Sequence, residues 1–121
     1  MLNQFQRYGR KSEDRAVAFL KKQGYTIIQR NYRTRLGEID IIARDKETIV
    51  FVEVKARMTD RAGSGKSSIT RNKQFRITRL AQYYLKQSGL RDVKARFDVV
   101  VIQGDGETVE LIRNAFAAVL A

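Results

Sequence analysis

Three charged residues interrupt an apolar, β-branched segment that runs from Gly37 to Arg57. They are Asp40, Glu53 and Lys55, and charges inside such a run cost free energy unless they are paired, solvated or bound to a metal ion. Carboxylate oxygens suit hard cations such as Mg²⁺ or Mn²⁺. A cation held by two carboxylates can generate a nucleophile from water and stabilise charge on a phosphate. These residues therefore indicate phosphodiester hydrolysis with Mg²⁺ or Mn²⁺ as cofactor.

The segment is predicted to be two strands joined by a turn at Asp45–Lys46 or at Arg44–Glu47. Either turn predicts three pairs on one largely apolar face: Ala43 with Thr48, Ile41 with Val50, and Ile39 with Val52. The other face then carries Asp40, Glu53 and Lys55, because cross-strand partners share a face and residues i and i+2 do so too. In this register Asp40 and Glu53 are diagonal neighbours, roughly 7–8 Å apart at the backbone.

The functional interpretation gives each residue on this face a role. Asp40 and Glu53 are the predicted metal ligands, and the backbone carbonyl of Val54 is a further oxygen donor. Lys55 is predicted to orient the attacking water or to neutralise the scissile phosphate, and Arg57 to bind a flanking phosphate. The alternative is a structural Glu–Lys pair on a solvent-facing strand, with Asp40 likewise solvated.

The composition removes several other kinds of catalysis. The chain has 121 residues, of which 43% are hydrophobic, and it contains neither Cys nor His. Thiol nucleophiles, Ser-His-Asp relays and the usual zinc sites are therefore excluded. The length predicts a single domain, residues 1–121.

The chain is strongly basic, with 24 Lys and Arg against 13 Asp and Glu and a formal net charge of +11. This excess favours a polyanionic partner, either nucleic acid or an anionic membrane surface. A basic amphipathic segment with a broad apolar face is absent from the sequence, and so are a signal-peptide core and an apolar run of transmembrane length. We therefore expect a cytoplasmic protein that binds nucleic acid and not membrane.

Periodicity and turn residues predict an α/β protein with a central mixed sheet of about five strands flanked by helices. The amino-terminal residues 1–10 are polar and predicted to be frayed at the start. The predicted elements are a helix from about Ser12 to Gln23, a strand at Tyr25–Tyr32, the Gly37–Arg57 hairpin, a helix from Ile69 or Thr70 to Ser88, strands at Arg96–Gln103 and Thr108–Arg113, and a short terminal helix capped by Asn114.

Two further acids need an interpretation. Glu13 continues the predicted buried stripe of the first helix, Ala16, Val17 and Leu20, one turn earlier. It is either a first-turn charge that favours the helix N-terminus or a supporting residue of the site. Asp98, a lone acid in the fourth strand, is predicted to be structural and paired with a nearby Arg or Lys.

The basic residues include several predicted nucleic-acid contacts, and simple solvation is the alternative for each. Arg33 and Arg35 flank the entry to the hairpin. The second helix carries Lys73 on its buried stripe, and Arg76 and Arg79 on a neighbouring basic face that can follow a phosphate backbone.

The loop after the hairpin, residues 58–68, is polar and contains Gly65-Lys66-Ser67, the end of a phosphate-binding P-loop pattern. The first Gly of that pattern falls on Asp60, whose negative side chain would stand where backbone should approach phosphate. A loop that closes on a ligand is the favoured interpretation, with Lys66 as a nucleic-acid contact.

Asp40 followed by Glu53-Val54-Lys55 resembles the PD-(D/E)XK nuclease superfamily. G-E-I-D-I-I-A followed by V-F-V-E-V-K-A-R resembles the YraN family of small bacterial proteins, which are regarded as predicted endonucleases related to archaeal Holliday junction resolvases. Similar residues recur at Glu13, Gly24-Tyr25, Asn31-Tyr32-Arg33, Lys73 and Arg96-Phe97-Asp98. The resemblance covers most of the chain, roughly from Glu13 to Ile102.

The resemblance implies a restriction-endonuclease-like fold, a divalent metal and DNA as ligand. It also implies that Glu13 supports metal or water and that Lys73 reaches the scissile region. Junction resolvases commonly act as dimers, so a homodimer is implied as well. The resulting hypothesis is a metal-dependent endonuclease acting on branched or structured DNA in repair or recombination. The alternative is a non-catalytic nucleic-acid-binding accessory protein with the same fold.

Overall fold

The structure, a computed structural model, describes residues 1–57, 69–104 and 108–120. Its elements in chain order are α1 (Gln4–Lys22), β1 (Thr26–Thr34), β2 (Gly37–Asp45), β3 (Thr48–Arg57), α2 (Arg71–Gln87), β4 (Lys94–Gln103) and β5 (Thr108–Phe116). The predicted α-β-β-β-α-β-β order is confirmed. The loop predicted at 58–68, which includes Lys66, and the turn residues 105–107 lie outside the described residues.

The five described strands form a mixed sheet in the order β1-β2-β3-β4-β5. Neighbours are antiparallel except β3 and β4, which pair in parallel from Thr48 with Lys94 to Arg57 with Gln103. Parallel neighbours need a long connection, and this connection contains α2. The strand that carries Glu53 is therefore the central one, with a partner on each side.

The two described helices cover opposite faces of the sheet. Successive β3 residues point to opposite faces: Val50 is buried with Leu20 of α1, and Phe51 is buried with Leu80 of α2. The predicted stripe of α1, Ala16, Val17 and Leu20, is confirmed as buried. Of the stripe predicted for α2, Ile77, Leu80 and Ala81 are buried, and Tyr84 is partly buried against the same core. Neither of these helices combines the length and the hydropathy that a bilayer crossing requires.

α1 begins at Gln4, well before the predicted start near Ser12, so the predicted start of this helix is wrong. The cause is a capping box. Oδ1 of Asn3 accepts the backbone N–H of Gln6 at 2.8 Å, and Oε1 of Gln6 accepts the backbone N–H of Asn3 at 2.9 Å. Reciprocal bonds of this kind satisfy helix donors that would otherwise lack partners. The Tyr8 hydroxyl also donates to the carbonyl of Gly104 at 2.9 Å.

The register of the β2–β3 hairpin differs from the predicted one by two residues. Ile41 pairs with Val52 and Asp45 pairs with Thr48, so the turn lies at Lys46-Glu47. Lys46 takes a positive φ of 56°. The hydrophobic pattern has a period of two residues and cannot distinguish registers that differ by two. The correction leaves the assignment of residues to faces unchanged and brings Asp40 level with Glu53.

The predicted terminal helix is wrong as well. β5 continues to Phe116, and residues 117–120 are not helical. Phe116 pairs with Phe97 of β4, and the two rings stack with centroids 4.8 Å apart. Asn114 does not cap a helix, because its backbone N–H donates to Oδ1 of Asp98 at 2.9 Å. Burial against β4 therefore extends the strand.

Candidate active site

Asp40 and Glu53 are the first residues beyond the paired part of the β2–β3 hairpin. The last pair on that side joins Ile41 to Val52. Beyond it, Oδ2 of Asp40 accepts the backbone N–H of Val54 at 2.8 Å. The carboxylate thus takes the place of a backbone acceptor, which fixes Asp40 beside β3 at the point where Glu53 emerges.

Glu53 is a buried acid, 6% exposed. Its Oε1 lies 3.4 Å from Nζ of Lys73, while its Oε2 is buried and has no hydrogen-bond partner among the described residues. Burial, and after it the neighbouring carboxyl of Asp40, raise the pKa of Glu53 to about 8, against the opposing effect of Lys73. Burial beside a second carboxyl therefore favours the protonated form of Glu53 over a wider pH range than in an ordinary glutamate.

Two lysines complete a cluster with the carboxylates. Lys55 lies two residues after Glu53 on the same face of β3, and its pKa is lowered by burial and by neighbouring Lys73. Burial acts to lower the pKa of Lys73, but the attraction of Glu53 and Asp40 and the hydrogen bond with Lys55 together outweigh it, and the pKa is raised. The site thus contains two ammonium groups with pKa values shifted in opposite directions.

Glu13 is held by two residues of β1. Nε of Arg30 donates to Oε1 of Glu13 at 2.9 Å, and Nδ2 of Asn31 donates to the same oxygen at 3.1 Å. Arg30 also contacts Asp14 at 2.6 Å. Because α1 begins at Gln4, Glu13 lies in the middle of the helix, and its interpretation as a first-turn charge is wrong.

A cavity of about 690 Å³ connects Glu13 to the hairpin site, and we call it the α1 cavity. Asp40 and Val54 line it, so the predicted supporting acid faces the same space as Asp40, whereas Glu53 is not among the described residues that line it. Among the described residues, however, no three His, Cys, Asp or Glu side chains come close enough to hold a metal ion together. The α1 cavity is also lined by Arg10, Arg30 and Arg33.

The donor set fits a hard divalent cation. Asp40 and Glu53 contribute carboxylate oxygens, and Oε2 of Glu53 is a buried acceptor without a partner in the described part of the chain. The carbonyl of Val54 is the further oxygen that the sequence predicts. Mg²⁺ and Mn²⁺ prefer oxygen donors of this kind.

The predicted contacts before α2 lie at two places. Arg33 and Arg35 are exposed at the β1–β2 turn, and Nε of Arg33 lies 3.3 Å from Oε2 of Glu38. Arg57 ends β3, where its backbone carbonyl accepts the N–H of Gly104 at 2.8 Å.

The predicted contacts of α2 differ in their surroundings. Lys73 belongs to the cluster with Glu53. The aliphatic part of Arg76 lies against Gly37, where an added Cβ would come within 3.0 Å of Cδ. The guanidinium of Arg79 lies 5.9 Å from the ring centroid of Phe75. Of the three basic residues, Lys73 is thus the one that contacts the carboxylate pair.

Asp98 is structural, as predicted. It is fully buried, and Nε of Arg96 lies 3.0 Å from its Oδ1. The hydroxyl of Tyr25 donates to Oδ2 at 2.7 Å, and Arg96 also contacts Asp45 at 2.7 Å. Buried polar groups with this many partners stabilise a unique packing arrangement.

Sequence reasoning gave no role to the two residues that hold Glu13: Arg30 was missed, and Asn31 was named only among the residues that carry the resemblance. Both stand in a strand whose pattern is unremarkable, and the acid that they contact, Glu13, lies on a helix remote in sequence. The adjacent acids Glu13 and Asp14 were the available signal, because two neighbouring carboxylates on one helix attract a cation from another element.

Fold and site together define a class: an α/β protein with the element order of the restriction-endonuclease-like fold and a carboxylate pair with two lysines beside its central strand. The chain belongs to the uncharacterised protein family UPF0102, the YraN family, whose family model matches residues 12–102. The family predicted from the hairpin motif is confirmed.

Relatives match along nearly the whole chain. A UPF0102 protein of Desulfosudis oleivorans is 62% identical over 121 residues, which cover 100% of this chain and 98% of the relative. A UPF0102 protein of Desulforapulum autotrophicum is 51% identical over 118 residues, covering 96% and 98%. One from Nitrosomonas europaea is 48% identical over 110 residues, covering 89% and 92%.

Proposed function

We propose that this protein is a metal-dependent endonuclease that hydrolyses phosphodiester bonds in branched or structured DNA, in repair or recombination. The observation that carries the proposal is the carboxyl of Glu53. It is buried beside Asp40, and its Oε2 has no partner among the described residues. Two carboxyl groups that lie side by side repel each other when both are ionised, which is part of the reason that the pKa of Glu53 is raised, and a bound cation would offset that repulsion.

Asp40, Glu53 and the carbonyl of Val54 are the residues that would hold Mg²⁺ or Mn²⁺. When bound, such a cation polarises a phosphoryl oxygen and lowers the pKa of a water ligand. Asp40 is already oriented for this role, because the backbone N–H of Val54 fixes one of its oxygens at 2.8 Å.

The two lysines have separate roles in this proposal. The lowered pKa of Lys55 increases its neutral fraction near pH 8, and a neutral amine can accept a proton from the attacking water. Lys73, whose pKa is raised, stays charged and stabilises negative charge on the phosphate. Lys73 also holds Oε1 of Glu53 in place at 3.4 Å.

The excess of positive charge supports a polyanionic substrate, because the chain as a whole carries a net charge of +11. The α1 cavity itself is lined by three arginines together with four acids, Glu13, Asp14, Glu38 and Asp40. Glu13 orients Arg30 and Asn31 at its wall. We assign Arg30 and Arg33 to phosphates that flank the scissile bond, and Glu13 to the support of their positions.

Cleavage of flap, four-way junction, duplex and single-stranded DNA by the purified protein with Mg²⁺ or Mn²⁺ tests the proposal. We expect cleavage of branched substrates, and we expect Asp40→Asn and Glu53→Gln to abolish it while DNA binding survives. Glu110→Gln, which changes an exposed acid of β5, is the control and should cleave normally. Wild type that is as inert as both variants on every substrate would overturn the proposal.

A non-catalytic nucleic-acid-binding accessory protein is the second candidate function. The contact between Lys73 and Glu53 favours this second candidate. The ammonium group of Lys73, 3.4 Å from Oε1, already offsets the negative charge of Glu53 that a metal ion would otherwise neutralise. In that case binding to branched DNA is salt-sensitive but independent of Mg²⁺ and of the Asp40→Asn change.

A further inference from the structure

A second cavity, of about 490 Å³, lies between the β1–β2 turn and the carboxyl-terminal half of α2. We call it the Tyr83 cavity. It differs from the α1 cavity in its lining, which is aromatic and basic and includes no acid among the described residues. The lining residues are Tyr32, Arg33, Thr34, Arg35, Leu36, Tyr83 and Gln87.

The hydroxyl of Tyr32 is the feature that points to a ligand in the Tyr83 cavity. Tyr32 is 9% exposed, and its hydroxyl is buried without a hydrogen-bond partner among the described residues. Its ring is fixed edge-on against Tyr84 with centroids 5.3 Å apart. Buried tyrosine hydroxyls usually have a partner, so this one is a group for which a ligand would supply a missing hydrogen bond.

The remaining lining residues match the parts of a nucleotide. The ring of Tyr83 is 44% exposed and Leu36 is 39% exposed, which leaves apolar surface for a base. The amide of Gln87 donates to the hydroxyl of Tyr83 at 3.0 Å and so orients it. Arg35 supplies positive charge for a phosphate, while Arg33, which lines both cavities, is assigned to the α1 cavity. Aromatic and guanidinium groups are what proteins use to hold unstacked bases.

The position of the Tyr83 cavity relates it to the carboxylate pair. Lys73 and Tyr83 stand at the two ends of one stretch of α2, and the rise of an α-helix places them roughly 15 Å apart. Arg76 lies between them against Gly37 of the hairpin. At 3.4 Å per step of a DNA strand, this distance corresponds to about four nucleotides.

We propose that the Tyr83 cavity binds an unpaired nucleotide of the DNA strand whose phosphate lies at Asp40 and Glu53, about four nucleotides away. A base enclosed between Tyr83 and Leu36 has left its stack, and this costs least where the base is already unpaired. The inference rests on the proposed function. It deepens that function, because the cavity selects branched DNA by the unpaired bases at the branch.

The test measures binding without divalent metal, so that cleavage plays no part. Two duplexes are compared, identical except that one carries a single extrahelical 2-aminopurine, and both anisotropy and 2-aminopurine fluorescence are recorded. We expect wild type to prefer the extrahelical duplex and Tyr83→Ala to lose about tenfold of that preference, the loss of one base–aromatic stack. Tyr32→Phe should lose about fivefold, the effect of one hydrogen bond.

The stability of the Tyr32→Phe variant distinguishes a ligand-binding hydroxyl from one that only stabilises the fold. Removal of a buried group without a partner should leave the resistance of the free protein to urea unchanged or increased, while binding is weakened. Tyr8→Phe is the matched control, because the hydroxyl of Tyr8 already donates to Gly104 at 2.9 Å. It should lower stability slightly and leave the preference for the extrahelical base intact.

The outcomes separate this inference from the proposed function. If wild type and the Tyr32 and Tyr83 variants bind both duplexes equally, while wild type still cleaves branched DNA, the cavity inference is overturned alone. A preference lost in both variants supports it even if cleavage is never found. Competition by a free deoxynucleoside monophosphate as strong as that by the oligonucleotide would overturn the assignment to a strand.

Discussion

Nζ of Lys73, on α2, lies 3.4 Å from Oε1 of Glu53, on the central strand β3. α2 connects β3 to β4, and its Lys73 thus places an ammonium group beside the strand that precedes the helix. Neither residue is fully solvated, so their mutual attraction is screened less than that of a surface pair. The ionisation of the site depends on this contact.

Replacement of Lys73 by Met should raise the pKa values of both neighbours. Lys73 lowers the pKa of Glu53 by attraction and that of Lys55 by repulsion, so its removal shifts both upward. NMR titration of the Glu53 carboxyl and of the Lys55 ammonium group measures the two shifts. Lys86→Met, an exposed change on the same helix, should move neither, and a downward shift in either group would contradict the geometry.

The stability of the metal-free protein should fall as pH rises from about 5 to about 8. The pKa of Glu53 is about 8 in the folded protein, against an ordinary value of 4.5. Between these values the folded state binds more protons than the unfolded state, so the free energy of unfolding decreases with pH by up to about 1.4 kcal/mol per unit. Urea unfolding at a series of pH values measures the slope.

Glu53→Gln should flatten that slope, because Gln has no proton to lose. Glu110→Gln, at an exposed position on β5, should keep it. Equal slopes in wild type and Glu53→Gln would show that Glu53 titrates alike in the folded and unfolded states.

Lys55→Met should reduce the rate of DNA cleavage by about 10²–10⁴-fold, the usual contribution of general acid–base catalysis. Affinity for DNA should change little, because Lys55 is one cation among 24 Lys and Arg. Single-turnover cleavage and metal-free binding separate the two effects. Lys94→Met, exposed at the start of β4, is the control. A loss of binding as large as the loss of rate would assign Lys55 to DNA binding.

Asp98→Ala should destabilise the protein by about 3–5 kcal/mol, because it leaves the charge of a partly buried Arg96 without its main partner. Tyr25→Phe removes one neutral donor from Asp98 and should cost about 1–2 kcal/mol. Denaturant unfolding measures both. A smaller loss for Asp98→Ala than for Tyr25→Phe would contradict the structural role.

The hydrophobic pattern predicts the faces of the hairpin but not its register. Asp40, Glu53 and Lys55 remain on one face of the sheet when the register shifts by two residues. Their shared face was therefore predictable from the alternation of apolar and polar residues alone. The shift itself depends on the tight turn at Lys46-Glu47, for which the sequence has no strong turn signal such as Asn-Gly.

The two ends of the chain show what local sequence leaves undetermined. Asn3 and Gln6 are a capping pair that can be recognised in the sequence, and the start of α1 was predictable from them. Phe116 is different, because an Ala-rich tail favours helix while its stacking on Phe97 depends on a strand distant in sequence. At Phe116 the burial of its ring against Phe97 outweighs the helix propensity of the tail. Likewise the contact of Lys73 with Glu53 requires the packing of α2 on the sheet, which no periodicity specifies.

The parallel pairing of β3 with β4 joins segments that are far apart along the chain, as in the pair of Phe51 with Phe97. Such pairings form slowly, because a long loop must close before they can. A chain that ends before α2 and β4 lacks the elements that bury Glu53, and we expect Glu53 to ionise there as an ordinary acid. The raised pKa of Glu53 therefore requires α2 and β4 to be packed in place. A ribosome-bound or truncated chain would contain the sequence motif, but its Glu53 would have an ordinary pKa.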